Sequence, residues 1–359
     1  MDFTTELNPT LVSEQQRADI LSNPGFGNYF TDHMVLIDWS LNDGWQNARV
    51  LPYGPLALDP ATAVLHYAQE IFEGLKAYAH ADESIWLFRP EANAARFQRS
   101  AKRIALPELP AEVFIDSIRH LVKVDRAWVP SGGEMSLYLR PFMFASEKFL
   151  GVRAAQQVTY ALIASPAGAY FSGGLKPVSI WVAQDFTRAA AGGTGAAKFG
   201  GNYAAGLLPQ QQASANGCDQ VVFLDAAEGK WIEELGGMNL FFVMADGTLV
   251  TPELSGTILE GITRESILAL ARERGMQVQE RKISIDEWRT GVTDGSIKEI
   301  FACGTAAVVT PVGKLKWADG EVSFGSAEAG HVTTEIRSAL VDIQYGRVAD
   351  PHGWMTQIV

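Results

Sequence analysis

Residues 189–205 read AAAGGTGAAKFGGNYAA, a run of small side chains broken by a single charged residue, Lys198. Glycine lets a backbone pass close to a ligand and adopt positive φ. A lysine in such a setting can be drawn inward, where burial lowers its pKa and favours the nucleophilic amine. That amine is what imine formation with an aldehyde cofactor requires. The same string also reads as a flexible surface loop with a solvated lysine, and the segment alone leaves both readings open.

Outward from this segment, strand-like and helix-like stretches alternate, which points to an α/β or α+β architecture. Upstream, Met34–Ile37 and Ser84–Phe88 read as strands. Pro90 suits the first turn of a helix that carries Arg96 and Arg99. Residues 111–128 place Phe114, Ile118, Leu121 and Val122 at helical spacing. Residues 135–140 alternate like a strand, and Pro141 is expected to end its easy pairing. Downstream, 221–225 and 230–234 read as one hairpin, and 240–244 with 248–251 as another, turning at Asp246–Gly247. Gly261 precedes a helix that stops at Gly275. Ser284 and Glu287 open a further helix, and 297–302 is a buried strand with its turn at Gly304–Ala306. The Gly-rich, Pro-bounded stretch 166–177 reads as a connection between domains. The expected division is 1–167, a loop at 168–178, and 179–359.

With 359 residues, 47% hydrophobic and 19% charged, the chain is an ordinary globular mixture, long enough for two domains. Its net charge of −12 argues against nucleic acid or an anionic membrane as the main partner. A few arginines in one pocket can still bind a small anion. Cys218 and Cys303 stand far apart, and the histidines lack paired spacing, so neither a disulfide framework nor a metal site is expected. The start, MDFTTELNPT, shows no leader pattern, and no apolar run reaches the roughly 20 residues of a membrane helix. A cytoplasmic protein is the default expectation.

Three further places carry possible chemistry. Glu234 ends an apolar strand, where a carboxylate could keep a pyridine nitrogen protonated; the bland alternative is an exposed glutamate. Alternation sends the neighbouring Glu233 to the opposite face, so one of the pair is expected to be merely solvated. The helix after Gly261 offers free N–H groups of Ile262 and Thr263 to an anion, though it also reads as an ordinary capped helix. Arg96 could add a bidentate contact to that anion, although a lone arginine is more often at the surface. Tyr138 and Arg140, two residues apart on a strand, share a face that suits a carboxylate, or that is simply surface.

The order of these pieces resembles the branched-chain aminotransferases of the fold-type IV, class IV group. The matching strings are FTDHM (30–34), LHYAQEIFEGLKAY (65–78), FRPEANAARFQRSAKRIALP (88–107), LYLRPFMFA (137–145), KFGGNYAA (198–205), EELGGMN (233–239), LEGITRESIL (259–268) and CGTAAVVTPV (303–312). They span nearly the whole chain, and FEGLKAY together with KFGGNYAA is highly specific.

The resemblance implies a smaller N-terminal α/β domain, a larger C-terminal domain with a strand-rich pseudo-barrel, and pyridoxal 5'-phosphate as cofactor. It implies that Lys198 holds the cofactor covalently and then serves as general base. Tyr203 would bond the cofactor's phenolic oxygen and Glu234 its ring nitrogen. Arg96, the amides of Ile262 and Thr263, and Thr305 would hold the phosphate, while the Thr305 and Ala306 amides take the substrate α-carboxylate. Phe30, Tyr67, Phe72 and Tyr138 would wall a branched side chain, with Tyr170 as a lid. Arg140 and Tyr67 would neutralise the side chain of glutamate. The implied activity is ping-pong transfer between leucine, isoleucine or valine and 2-oxoglutarate, in a homodimer whose partner completes the pocket.

Two rivals are D-amino acid transamination or aminodeoxychorismate lyase activity on the same fold, and a silent cofactor-binding protein. FEGLKAY and the aromatic wall speak against the first, and the full set of reactive residues against the second. The chain departs from some relatives in two places. Ala307 and Thr310 stand where a Cys-x-x-Cys pair occurs, so no thiol switch is expected. Gly237 stands where a hydroxyl residue can occur.

Overall fold

A computed structural model describes residues 1–168, 175–326 and 328–359. The chain divides into two compact units. Met1–Ser172, Ala197–Gly200 and Ile343–Val359 form the first; Gly173–Ala196 and Gly201–Asp342 form the second.

The first unit is built on a nine-stranded sheet. In order across it run Thr4–Thr5, Gly44–Pro52, His33–Ser40, Gln157–Ala167, Ser136–Ala145, Leu75–Ala79, Ile85–Phe88 and Met355–Gln357, with Glu70–Phe72 also paired to Ser136–Ala145. Nearly all pairings are antiparallel; Thr4–Thr5 beside Gly44–Pro52 is the parallel one. Strand Met355–Gln357 closes one edge by pairing with Ile85–Phe88, so the C-terminus belongs to this unit.

Helices Pro90–Arg103 and Ala111–Val124 cover one face. Pro90 stands in the first turn of its helix, where its missing N–H costs nothing. The second helix buries Val113, Phe114, Ile118, Leu121 and Val122 along one stripe, as its spacing predicts. Phe97, Phe114 and Tyr160 meet beneath them, and the buried Tyr160 hydroxyl is satisfied by Ser117 at 2.8 Å. Truncating a fully buried residue such as Leu121 to Ala in such a core costs about 2–5 kcal/mol.

Pro141 does not end its strand. The strand runs Ser136–Ala145, and Pro141 lies opposite Leu162. On the other side, 137–139 pair with Leu75–Ala79 and 142–144 with Glu70–Phe72. Pro141 therefore sits at the break between two partner strands, where its carbonyl accepts from Glu73 N–H at 2.7 Å. A residue that lacks a donor is tolerated at such a break.

The second unit is also built on a nine-stranded sheet, in the order Ile232–Leu235, Gln220–Leu224, Val178–Ala183, Val308–Trp317, Ile297–Gly304, Asn239–Met244, Leu249–Thr251 and Val278–Glu280, with Gly320–Ser323 on Val308–Trp317. Helices Ile262–Glu273 and Ile285–Asp294 pack on Ile297–Gly304. The hairpins expected from the turn residues form, and Gly275 takes φ +74° just past the first of these helices. Ser284 caps the second by accepting from Glu287 N–H. Among the described residues, no helix is long and apolar enough to cross a membrane.

Candidate active site

In the first unit, Lys198 is half-buried and its backbone is tied at both ends. Its N–H donates to Ser100 Oγ at 2.9 Å, and its carbonyl accepts from Phe72 N–H at 3.1 Å. Its Nζ lies 4.7 Å from the centre of the Phe72 ring. Arg140 lies over the same ring at 4.9 Å, and its Nη2 donates to the Tyr138 hydroxyl at 3.2 Å. Residues Leu137 and Leu139 of that strand are fully buried, whereas Tyr138 and Arg140 face the half-open side. Gly74 lets Tyr138 approach, since a Cβ there would collide with the phenol oxygen. The structure thus brings Lys198, Phe72, Tyr138 and Arg140 together.

Two carboxylates balance these cations. Glu70 accepts from Gly200 N–H at 2.6 Å; burial pushes its pKa up, against that bond and Arg140. Glu73 is wholly buried and grips Arg96 in a fork, with Nε to Oε1 at 2.7 Å and Nη2 to Oε2 at 2.9 Å. Asn93 Nδ2 adds a bond to Oε2 at 2.8 Å. Burial opposes ionisation of Glu73, but Arg96, with Lys198 and Asn93, outweighs it and holds the carboxyl below its ordinary range. Glu73 was not among the residues singled out from sequence. The signal was there: a glutamate inside the apolar run 71–75 has no solvated face and must find a cation.

Of the other expected wall residues, Phe30 stacks on Tyr53 with centroids 5.1 Å apart, and the exposed Tyr67 donates its hydroxyl to the Leu150 carbonyl. Tyr170 lies outside the described residues.

The second unit holds Glu234, Tyr203, Ile262, Thr263, Thr305 and Ala306. Glu234 is buried at the end of its strand. It receives Leu259 N–H at 2.8 Å and pairs with Arg188 Nη2 at 2.5 Å. The same Nη2 donates to the carbonyls of Gly195 at 2.8 Å and Thr257 at 2.7 Å. Arg188 also escaped the sequence reading; it lies one residue before the small-residue run, with nothing local to mark its partner.

Glu233 is not solvated: only 5% of it is exposed, and it accepts the Thr257 hydroxyl. The strand has both faces covered, so alternation does not release either glutamate. Burial raises the Glu233 pKa, with the Thr257 bond and Arg188 opposing.

Helix Ile262–Glu273 begins at Gly261, which has no side chain to cap the N–H groups of its first turn, those of Ile262 and Thr263 among them. Gly261 is required by close packing: a Cβ would strike Asn239 Oδ1, whose Nδ2 holds the Leu259 carbonyl at 3.1 Å. Thr305 and Ala306 form the half-buried turn between strands that pair Gly304 with Val308. Tyr203, half-buried on helix Gly200–Ala205, has its ring beside Gly237.

The profile of the amino-transferase class IV family matches residues 70–315. The chain belongs to the class IV aminotransferases. A branched-chain-amino-acid aminotransferase of Mycolicibacterium smegmatis is 59% identical over 100% of this chain and 98% of its own length. Among solved structures, a branched-chain aminotransferase of Thermoproteus uzoniensis with norvaline superposes with TM-score 0.75 at 28% identity, over 91% of this chain and 100% of that one. A branched-chain amino acid aminotransferase of Thermobaculum terrenum in its PLP-bound holo form gives 0.74 at 25% identity, over 91% and 98%.

Proposed function

We propose that this chain is a pyridoxal-phosphate-dependent branched-chain aminotransferase, moving the amino group between leucine, isoleucine or valine and 2-oxoglutarate by a ping-pong cycle. One observation carries the reading: a tethered lysine amine lies against an aromatic ring that also carries Arg140, so apolar and anionic recognition adjoin the reactive nitrogen.

The residues present fit the cofactor. An amine, a helix N-terminus without a side-chain cap and a carboxylate paired with Arg188 are what an aldehyde, a phosphate and a pyridine nitrogen need. When bound, pyridoxal phosphate supplies a protonated ring that accepts electron density from the substrate α-carbon. Lys198 Nζ would hold the aldehyde end and would be the base that moves the substrate α-proton. Arg188 and Leu259 N–H bond Glu234 and fix its orientation, so that it would hold a proton at the ring nitrogen. By the family resemblance, the Tyr203 hydroxyl would donate to the phenolic oxygen. The Ile262 and Thr263 amides, Thr305 and Arg96 would be the groups that hold the phosphate, and the Thr305 and Ala306 amides would hold the substrate carboxylate.

Phe72 and Tyr138, with Phe30 and Tyr67, would wall the side chain. Arg140 offers the counter-charge that admits glutamate to the same pocket. Leu65, Tyr67, Leu150 and Val152 are exposed apolar residues, and the Tyr67 hydroxyl bonds to the Leu150 carbonyl. This exposed apolar patch supports a homodimer. The expected compartment is the cytoplasm.

The test is a half-reaction survey of the yellow holoenzyme. Adding L-leucine alone should abolish the visible absorption band as the pyridoxamine form accumulates, and 2-oxoglutarate should restore it. An unchanged spectrum would sink the proposal, and faster turnover of D-alanine than of L-leucine would move it to a D-amino acid transaminase.

A further inference from the structure

The second unit contains a cavity of about 430 Å³ that the proposed reaction does not use. It is within the range of small-molecule sites, about 300–1,000 Å³. Ile232, Pro252 and Ile258 give it an apolar lining, and Glu233 and Lys282 supply charges of opposite sign. Glu233 accepts from Thr257 through Oε1, while its Oε2, buried from solvent, has no hydrogen-bond partner. A buried carboxylate oxygen left without a donor is costly, and a ligand donor removes that cost.

Of the other two carboxylates in the lining, Glu253 is exposed to solvent, and the half-buried Asp225 is already satisfied by the N–H groups of Ala227, Glu228, Lys230 and Trp231. Glu233 is therefore the acceptor with capacity to spare. The opposite charge stands close by. Trp231 and Ser284 form an antiparallel bridge, and Ile232 N–H bonds the Ile283 carbonyl at 2.9 Å. Continuing that register sets Lys282 across from Glu233, on the face that also carries Trp231. Lys282 is exposed, with Nζ 5.4 Å from the Trp231 ring centre.

A buried acceptor, a cation at the mouth and an apolar wall match an ammonium, a carboxylate and a hydrocarbon side chain. We propose that this cavity binds a zwitterionic apolar α-amino acid as a ligand rather than a reactant. Its ammonium bonds Glu233, its carboxylate faces Lys282, and its side chain packs on Pro252 and Ile258. Such a ligand reaches the proposed machinery through three contacts: Thr257 bonds Glu233 by its hydroxyl and Arg188 by its carbonyl, and Arg188 pairs with Glu234.

The probe is α-methyl-leucine, which has no α-hydrogen to lose, tested on the pyridoxamine-phosphate form of the holoenzyme, which holds no aldehyde to condense with it. Equilibrium dialysis should show one saturable site per chain. Glu233→Gln should weaken it roughly tenfold through loss of the buried charge partner, and Lys282→Glu roughly fivefold through reversal of the rim charge. Lys282 is exposed, so its variant folds and decides the matter even where Glu233→Gln does not. Absence of saturable binding at tens of millimolar, or binding equally strong in the variants that fold, would overturn the proposal.

Discussion

Arg188 and Glu234 form a buried ion pair, Nη2 to Oε1 at 2.5 Å, with less than a twentieth of either side chain exposed. Removing one member of such a pair leaves an uncompensated charge in a low-dielectric interior, which costs about 3–5 kcal/mol. Arg188→Met should therefore lower unfolding stability by that order, read as a shift of the urea midpoint in the holoenzyme. The double variant Arg188→Met, Glu234→Gln should recover part of it, because no bare carboxylate remains. A single-variant loss below about 1 kcal/mol, the scale of surface pairs, would refute the account.

Lys198→Ala should abolish borohydride trapping of the cofactor and nearly all turnover, while the fold persists. Lys198 is half-buried, and its backbone bonds to Ser100 and Phe72 do not involve the side chain. Mass spectrometry after reduction checks this: a covalent adduct retained on the variant contradicts the assignment.

Arg140→Ala should impair glutamate and 2-oxoglutarate more than leucine. The guanidinium lies over Phe72 and bonds the Tyr138 hydroxyl, and its Nε has no hydrogen-bond partner, so it has a donor to give. The expected loss is about 2 kcal/mol in transition-state binding for the dicarboxylates, roughly thirtyfold in kcat/KM. Equal losses for both substrate types would remove Arg140 from that role.

What could be read in the sequence was what a local pattern determines. Helix Ala111–Val124 shows its stripe, Pro90 marks a helix start, and Gly275 marks an end. Helix Glu14–Ser22 buries none of its residues, so no apolar period betrays it, although Ser13 and Gln16 form a capping box. The return of Met355–Gln357 to Ile85–Phe88 joins residues some 270 apart, and no local rule reports such pairing. Pro141 misled because the rule against proline in central strands assumes one continuous neighbour, and here two strands share the role. At the site, Lys198 stood out by contrast with its surroundings. Glu73 and Arg188 did not, because each is defined by a partner distant in sequence.

Gly237 offers a steric test. A Cβ there would meet the Tyr203 ring at 3.6 Å, an ordinary contact. Gly237→Ser should therefore fold with stability unchanged within about 0.5 kcal/mol. If the added side chain steadies the Tyr203 ring, cofactor dissociation should slow, measured by dialysis of the holoenzyme against a phosphate buffer. A variant that aggregates or loses cofactor faster would show that the space beside Tyr203 is needed.

Glu73 supplies a pH prediction whose sign follows from its depressed pKa. In the fold the carboxyl ionises below its ordinary value of 4.5, burial notwithstanding, because Arg96 grips both oxygens. A depressed acid contributes stability that is complete above the ordinary value and is lost as pH falls through the folded one. Glu73→Gln should cost about 3–5 kcal/mol at neutral pH, since it strands a buried guanidinium. That gap between wild type and variant should stay constant from pH 7 to about 5 and close as the pH drops below 4.5 towards the folded value, where the wild type is itself protonated. Urea midpoints measured at intervals across this range decide it. A gap that persists undiminished well below pH 4 would mean that the fork to Arg96 is not what holds this carboxyl ionised.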